Sequence, residues 1–90
     1  MWKAIRTNRF EKNLALCMRR GCDMELFKEV ARLLSEGKPL PKKYKAHKLE
    51  GNLSDFWDCH IKADWVLIFR LDYINGQIIF ENIGTHSDLF

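Results

Sequence analysis

Hydrophobic positions in the first half of the chain follow helical spacing. A short alternating segment, Trp2–Arg6, predicts a strand, and after it apolar residues recur every three or four positions. Thr7 or Asn8 is suited to cap a first helix that runs to about Arg20, and Gly21 ends it. The predicted apolar face of this helix consists of Phe10, Leu14, Cys17 and Met18.

A second helix follows closely. Asp23 is a good N-cap, Glu25 stands in the first turn, and Gly37 followed by Pro39 stops the helix. Its apolar stripe consists of Met24, Phe27, Val30, Ala31 and Leu34. Two helices joined by so short a link are expected to pack as an antiparallel hairpin. Both stripes are assigned to the core.

The second half of the chain changes to a strand pattern. Lys38–Lys48 is expected to be a loop stiffened by two prolines, and Gly84–Phe90 a short end segment. Asn75-Gly76 predicts a type I′ turn, because both positions of that turn need positive φ. The predicted strands are Phe56–Ile61, Trp65–Leu71 and Gln77–Ile83.

The resulting order of elements is β-α-α-β-β-β, which is typical of an α+β fold. We expect a helical hairpin on one face of a mostly antiparallel sheet of about four strands, forming one domain over residues 1–90. The other face of the sheet would be free to carry a site, and the lysine-rich loop would supply its rim.

Composition narrows the classes of protein. A hydrophobic fraction of 47% favours a folded chain over disorder. No segment resembles a signal peptide or a membrane span, so a cytoplasmic protein without membrane contact is expected. The three cysteines are interpreted as free thiols. A zinc site built from them and His60 is rejected, because Cys59 and His60 are neighbours on a strand and point to opposite faces. No metal or cofactor is expected.

Charge is unevenly distributed along the chain. Residues 1–50 carry a net charge of +7 and residues 51–90 a net charge of −4, giving +3 for the whole chain. A lysine cluster beside the two prolines suits a polyanion, most often a nucleic acid, although a solvated surface face explains many such clusters. The candidate RNA-binding lysines are Lys42, Lys43, Lys45 and Lys48.

All three histidines lie in the second half, close to acidic residues. On the strand Phe56–Ile61, alternation places Asp58 and His60 on the open face while Cys59 faces the helices. Asp64 is expected in the turn before the central strand. His47 closes the basic loop, and His86 follows the last strand.

These residue types suit RNA cleavage without a metal. The 2′-hydroxyl must lose a proton, the leaving 5′-oxygen must gain one, and imidazole and carboxylate groups perform both tasks. Cationic groups stabilise the charge on the phosphoryl oxygens. From the residues alone, RNA cleavage is less favoured than structural roles for the same side chains. In those roles His60 is a hydrogen-bonded residue of the sheet and Asp64 caps a turn.

Three segments in order strengthen the interpretation of RNA cleavage: YKAHKLEG from Tyr44, DCHIKADWVLIF from Asp58, and FENIGTHSDLF from Phe80. Together they resemble the YafQ branch of the RelE superfamily of bacterial toxins, over about half the chain. The resemblance implies a ribosome-dependent mRNA endonuclease. It places the functional histidines at His47, His60 and His86, the acid at Asp64, and aromatic RNA contacts at Trp65 and Phe90.

The resemblance also implies roles for these residues. His86 is the expected general acid for the leaving oxygen, and Asp64 is the candidate base. His47 and His60 are expected to orient the phosphate or share proton transfer. Trp65 and Phe90 are equally open to a packing role, Trp65 in the core and Phe90 at the sheet edge.

One position departs from the family pattern. The relatives carry an arginine just before the xGTH segment, where it would brace the scissile phosphate, and here that position is Asn82. An asparagine donates a hydrogen bond but brings no charge. Arg70 or a loop lysine is a candidate substitute. The departure therefore leaves open a catalytically weakened toxin that only binds its antitoxin or the ribosome. A separate alternative is a free-standing metal-independent RNase.

The family context also implies partners. We expect a cognate antitoxin, disordered in part when alone, that wraps the toxin and covers the site or the helices. The ribosome and its mRNA are the expected targets. The toxin–antitoxin complex is expected to contact operator DNA through the antitoxin.

Overall fold

The computed structural model describes residues 1–51 and 55–90. The elements along the chain are β1 (Lys3–Arg6), α1 (Asn8–Arg19), α2 (Met24–Ser35), a 3₁₀ turn (Lys42–Tyr44), β2 (His47–Lys48), β3 (Phe56–Lys62), β4 (Trp65–Asp72), β5 (Gln77–Gly84) and the one-turn helix α3 (His86–Leu89). This order confirms the predicted α+β fold. The strand count is five rather than about four, because the expected loop Lys38–Lys48 ends in the short strand β2.

The five strands form one mixed sheet in the order β1-β5-β4-β3-β2. β1 runs parallel to β5, and the other neighbours are antiparallel. The pairing register shifts at two bulges, at Ile61 in β3 and at Glu81 in β5. A bulge adds one unpaired residue and redirects the side chains beside it. Both bulges lie in the half of the sheet that carries the candidate site.

Side-chain caps begin the two long helices as predicted. Thr7 Oγ1 accepts a hydrogen bond from the amide of Phe10 at 3.0 Å and donates one to the carbonyl of Glu81 at 3.1 Å. One threonine therefore starts α1 and ties it to β5. The Asp23 carboxylate accepts from the amide of Glu25 at 3.0 Å and starts α2. The prediction was wrong for Met18, which is 58% exposed because it lies beside the buried stripe of α1 rather than on it.

The main core lies between the two helices and one face of the sheet. Its centre is an aromatic cluster in which the ring of Phe10 lies 5.7 Å from that of Phe27 and 5.5 Å from that of Phe80. Cys59 is fully buried on the same face, as the strand alternation predicted. Burial of these apolar side chains fixes which face of the sheet packs against the helices. Because side chains alternate along a strand, the residues between them in β3, β4 and β5 lie on the opposite face.

The turn chemistry differs from the prediction. The loop between β4 and β5 contains the four residues Tyr73–Gly76, and of these only Gly76 has positive φ (64°). The prediction of a type I′ turn at Asn75-Gly76 is therefore wrong. The physical reason is the Asp72 carboxylate, which accepts from the amides of Ile74 and Asn75, each at 3.1 Å, and so organises a longer loop.

The second face of the sheet is only partly open. Val66, Ile68 and Ile79 on this face are buried, although they lie outside the main core. Leu49 and the C-terminal residues Leu89 and Phe90 line a cleft of about 140 Å³ above Ile68. Within the expected end segment Gly84–Phe90, residues His86–Leu89 form the helix α3, which was not predicted. Across the described ranges, no helix has the length and apolar character needed to cross a membrane.

Candidate active site

Asp64 and His86 form the central pair of the candidate site. Asp64 lies in the two-residue turn between β3 and β4, where Ala63 adopts a φ of 45°. Its Oδ1 atom accepts a short hydrogen bond from Nδ1 of His86 and a second one, at 3.1 Å, from the backbone amide of His86. These contacts hold the pKa of the Asp64 carboxyl below its usual range, mainly through the side-chain hydrogen bond from His86.

His60 lies next to this pair. It is on β3, and its ring centroid is 5.2 Å from that of His86. Its Nδ1 atom is 3.2 Å from the carbonyl oxygen of Ala63, in the same turn that carries Asp64. The β3–β4 turn thus contributes to the placement of both imidazoles.

His47 approaches from the sheet edge. It is paired with Asp58 across β2 and β3, and its Nδ1 atom is 3.1 Å from Oδ1 of Asp58 and 2.9 Å from the carbonyl oxygen of Lys45. Lys45 reaches this position through a left-handed backbone conformation with φ 48°. Asp58 itself is only 4% exposed, and its Oδ1 atom has no well-aligned hydrogen bond among the described residues. The N–H of His47 Nδ1 is aligned with the carbonyl oxygen of Lys45, and the Asp58 carboxylate lies beside this hydrogen bond.

The three histidines share one arrangement. Carbonyl and carboxylate oxygens only accept hydrogen bonds, so each Nδ1 atom that contacts one must carry the proton. In the neutral ring Nε2 is then the unprotonated nitrogen, and no hydrogen bond to Nε2 is found within the described residues. The fold therefore holds three imidazoles by one nitrogen and presents the other as a proton acceptor or, when the ring is charged, a proton donor.

The predicted RNA-binding lysines lie on and just before the edge strand β2. Lys42, Lys43, Lys45 and Lys48 are all exposed. Lys48 pairs with Trp57, whose side chain packs against the main core, and its Nζ atom lies 5.8 Å from that ring. The Nζ atom of Lys43 lies 5.1 Å from the ring centroid of Tyr44. The loop thus distributes positive charge around the sheet edge beside His47.

Arg70 and Asn82, the two candidates for phosphate contact on the sheet, both form hydrogen bonds within the chain. Nε of Arg70 donates to Oε1 of Glu81 at 2.9 Å, so its charge is largely balanced within the chain. Oδ1 of Asn82 accepts from Nδ2 of Asn13 on α1 at 2.6 Å and from the amide of Ile83 at 2.9 Å. The bulge at Glu81 separates the side chains of Glu81 and Asn82, so that Glu81 contacts Arg70 and Asn82 contacts Asn13 on α1.

Trp65 does not lie in the site. It is 8% exposed, belongs to the main core, and donates its Nε1 hydrogen to Sγ of Cys17 at 3.2 Å. The prediction that Trp65 contacts RNA is corrected: alternation along β4 places it on the face covered by the helices. Phe90 is 61% exposed, and its ring stacks on that of His86 with centroids 6.0 Å apart. Its exposed ring could stack on a nucleobase.

Three features were missed by sequence reasoning. Asp58 was placed on the correct face but not assigned to the site, and its pairing with His47 depends on β2, which was not predicted. Arg9 lines the C-terminal cleft together with Asn82 and Phe90, and it forms no ion pair with any described residue. The remaining feature is a network around Asp88, described below. The spacing of Thr85 and Asp88, which is that of a capping box, could have indicated this part of the network but not the contact with Arg20.

The described residues offer no evident metal centre. No three His, Cys, Asp or Glu side chains among residues 1–51 and 55–90 converge closely enough to hold a metal ion. Cys17 and Cys59 are buried, and burial raises the pKa of the Cys59 thiol to about 12. Such a thiol stays protonated and is a poor metal ligand at neutral pH.

Comparison with known proteins gives consistent results. The family model for YafQ, described as the bacterial toxin of a type II toxin–antitoxin system, matches residues 2–90. The mRNA interferase toxin YafQ of Escherichia coli K12 is 35% identical over 85 residues, covering 93% of this chain and 90% of the relative.

Solved structures agree in fold. The toxin in the crystal structure of the Escherichia coli DinJ–YafQ toxin–antitoxin complex superposes with a TM-score of 0.90 at 33% identity, covering 99% of this chain and 97% of that one. A metal-bound toxin from Helicobacter pylori gives a TM-score of 0.94 at 33% identity over the whole of both chains. The chain belongs to the YafQ family of type II toxin–antitoxin toxins.

Proposed function

We propose that this chain is an endoribonuclease toxin that cleaves mRNA on the ribosome and is neutralised by a cognate antitoxin. The observation that carries the proposal is the set of three imidazoles anchored through Nδ1, two of them with ring centroids 5.2 Å apart. Proton transfer to and from oxygen is the chemistry that such groups perform near neutral pH.

In the proposed reaction His60 and His86 flank one phosphodiester. Neutral His60 takes the proton of the 2′-hydroxyl through Nε2, and the 2′-oxygen forms a bond to the adjacent phosphorus. Protonated His86 gives its Nε2 proton to the 5′-oxygen as the bond from phosphorus to that oxygen breaks. The products are a 2′,3′-cyclic phosphate and a free 5′-hydroxyl, and no metal takes part in the step.

Asp64 is assigned a positioning role rather than that of the base. Its lowered pKa makes it a poor proton acceptor at neutral pH, and its Oδ1 atom is already occupied by two donors from His86. An ionised carboxylate on Nδ1 fixes the tautomer of His86 and stabilises the imidazolium that the acid step requires.

Positive charge at the phosphate is assigned to Arg9, assisted by His47. Arg70 is balanced by Glu81 at 2.9 Å, whereas Arg9 borders the cleft that contains Asn82 and Phe90. A guanidinium binds two phosphate oxygens at once, which suits charge that grows on those oxygens during attack. Arg9 would thus take the place of the arginine that the family pattern has at position 82.

The lysines of the Lys38–Lys48 segment would contact ribosomal RNA phosphates. Such contacts release counterions, so binding should weaken as salt rises, with a log–log slope of about one unit per phosphate contacted. The stacked ring of Phe90 beside His86 would hold a base of the mRNA next to the scissile phosphate.

The antitoxin proposal rests on the relatives. The Escherichia coli toxin of similar fold crystallised in complex with DinJ, and a matching partner is proposed here. This partner would cover the site or the helices, and it would carry any contact of the complex with operator DNA. The proposed place of action is the cytoplasm, where ribosomes translate.

The test is a reconstituted translation reaction in which the 5′ ends of the mRNA are mapped. We expect cuts with ribosomes and few on naked RNA, a loss of about 10²-fold or more for His86→Ala, and a cyclic phosphate at the new 3′ end. A comparable loss is expected for His60→Ala. Equal cleavage of naked and ribosome-bound RNA would support a free-standing RNase instead.

A second candidate function is a weakened toxin that binds without cutting. The observation that favours it is the uncharged Asn82, whose amide oxygen is already held by Asn13. A folded protein that binds ribosomes or an antitoxin but leaves mRNA intact would establish this reading and remove the enzymatic one.

A further inference from the structure

The helix that carries His86 is too short to hold itself in place. α3 has four residues, and a single helical turn gains too few hydrogen bonds to offset the entropy of ordering it. Yet the general acid of the proposed reaction stands at its first position. External contacts must therefore decide where the His86 backbone lies.

Asp88 supplies the first of these contacts. Its Oδ2 atom accepts from the amide of Thr85 at 3.0 Å, and the Thr85 hydroxyl accepts from the amide of Asp88 at 3.2 Å. This reciprocal capping box closes the turn on which His86 stands.

Arg20 supplies the second contact, from the C-terminal end of α1. Its Nη1 atom donates to the same Oδ2 atom of Asp88 at 2.9 Å, and the two residues are 68 positions apart in the chain. The Arg20 backbone is itself fixed at the end of α1, where its amide donates to the carbonyl of Leu16 at 3.0 Å. The pKa of Asp88 is lowered, first by the Thr85 amide and then by Arg20, so the carboxylate is ionised at neutral pH.

Gly84 makes room for this arrangement. A Cβ atom at position 84 would lie 3.0 Å from both Cβ and Oδ2 of Asp88, which is tighter than most Cβ contacts in proteins. A side chain at position 84 would therefore require Asp88 to shift by a few tenths of an ångström.

We propose that Asp88, held by Arg20, is a positioning residue for His86. Asp64 binds both the ring and the backbone amide of His86, and the Arg20–Asp88 pair holds the turn that carries them. This proposal rests on the proposed function insofar as His86 acts as the general acid. A displacement of a catalytic group by about 1 Å can lower a rate about 10²-fold, so an exposed ion pair can affect turnover more than stability.

The test compares Arg20→Met, Arg20→Lys, Asp88→Ala and the double variant Arg20→Met/Asp88→Ala in ribosome-dependent cleavage. The control is Arg19→Met, which removes the adjacent arginine of α1. We expect Arg20→Met to lower kcat about tenfold with little change in KM. Arg20→Lys should restore part of that loss, and Arg20→Met should add nothing in the Asp88→Ala background. Arg19→Met should match the wild type.

Amide hydrogen exchange of the isolated protein provides a second measurement that needs no activity. We expect exchange of the Leu89 and Phe90 amides, which bond to Thr85 and His86, to rise about two- to fivefold in Arg20→Met and not in Arg19→Met. A raised KM with unchanged kcat would overturn the proposal in favour of a phosphate contact by Arg20. Unchanged exchange would also overturn it. If wild-type protein does not cleave at all, the proposed function fails, while the exchange comparison still decides whether Arg20 orders α3.

Discussion

Replacing Trp65 by phenylalanine separates a packing role from an RNA-contacting role. The indole is 8% exposed and donates its Nε1 hydrogen to Sγ of Cys17 at 3.2 Å. Phenylalanine keeps an aromatic ring in the core but removes the donor and the second ring. Because the indole does not reach the open face, we expect Trp65→Phe to lower stability and to leave the cleavage rate of the folded protein unchanged.

The magnitude follows from two terms. The lost hydrogen bond contributes about 1 kcal/mol. The lost volume is roughly a third of the side chain, and full truncation of a buried tryptophan costs about 3–5 kcal/mol, so this term adds about 1–1.5 kcal/mol. A total near 2 kcal/mol corresponds to a fall in Tm of about 8–16 °C for a domain of this size.

The assay pairs urea unfolding with ribosome-dependent cleavage at 25 °C, where a variant that keeps a few kcal/mol of stability stays folded. Phe90→Leu is the matched control, since Phe90 is 61% exposed and stacks on His86. It should change stability by less than about 0.5 kcal/mol and lower cleavage about tenfold. A Trp65→Phe protein with wild-type stability and impaired cleavage would refute the assignment of Trp65 to the core.

Three further predictions concern single groups. Asp64→Asn should lower the free energy of unfolding at neutral pH. Because the folded-state pKa of Asp64 is depressed, the difference in unfolding free energy between variant and wild type should disappear as pH falls through that pKa. A difference that urea titrations show to be independent of pH would contradict this. Arg9→Met should lower single-turnover cleavage about 10²-fold, and adding Asn82→Arg should restore part of it; full activity of Arg9→Met would remove Arg9 from the site. Iodoacetamide at pH 8 should modify Cys22, which is partly exposed, and leave Cys59 intact, because burial raises the Cys59 pKa to about 12. Mass spectra that show a native adduct on Cys59 would contradict its burial.

Most of the fold could be predicted because local signals and burial agree. Thr7 and Asp23 begin their helices as the capping rule requires, and β3 buries Cys59 while it leaves His60 partly exposed. What could not be predicted depends on contacts between distant segments. β2 is a strand of two residues that exists only by pairing with β3, and nothing in its own composition indicates a strand.

The candidate site shows the same division. The histidines and Asp64 were predicted from residue type and from the family resemblance, and the fold brings Asp64 and His60 next to His86. Trp65 was misplaced because its alternation on β4 was not applied to the site. The pairing of Asp88 with Arg20 spans 68 positions, and no sequence pattern in a single chain reports a contact at that range.

Exposure of the site gives a physical reason for the proposed dependence on the ribosome. The side chains of His86 and His47 are 48% and 56% exposed, so water screens the charges that the reaction develops. Hydrogen bonds to Nδ1 orient these rings but leave them in solvent. Docking against ribosomal RNA would exclude water from the open face and strengthen every one of these electrostatic contacts. On this reasoning the chain holds the imidazoles in a fixed orientation and the ribosome would supply the low-dielectric surroundings in which they act. Naked RNA should therefore be cleaved slowly even at saturating concentration.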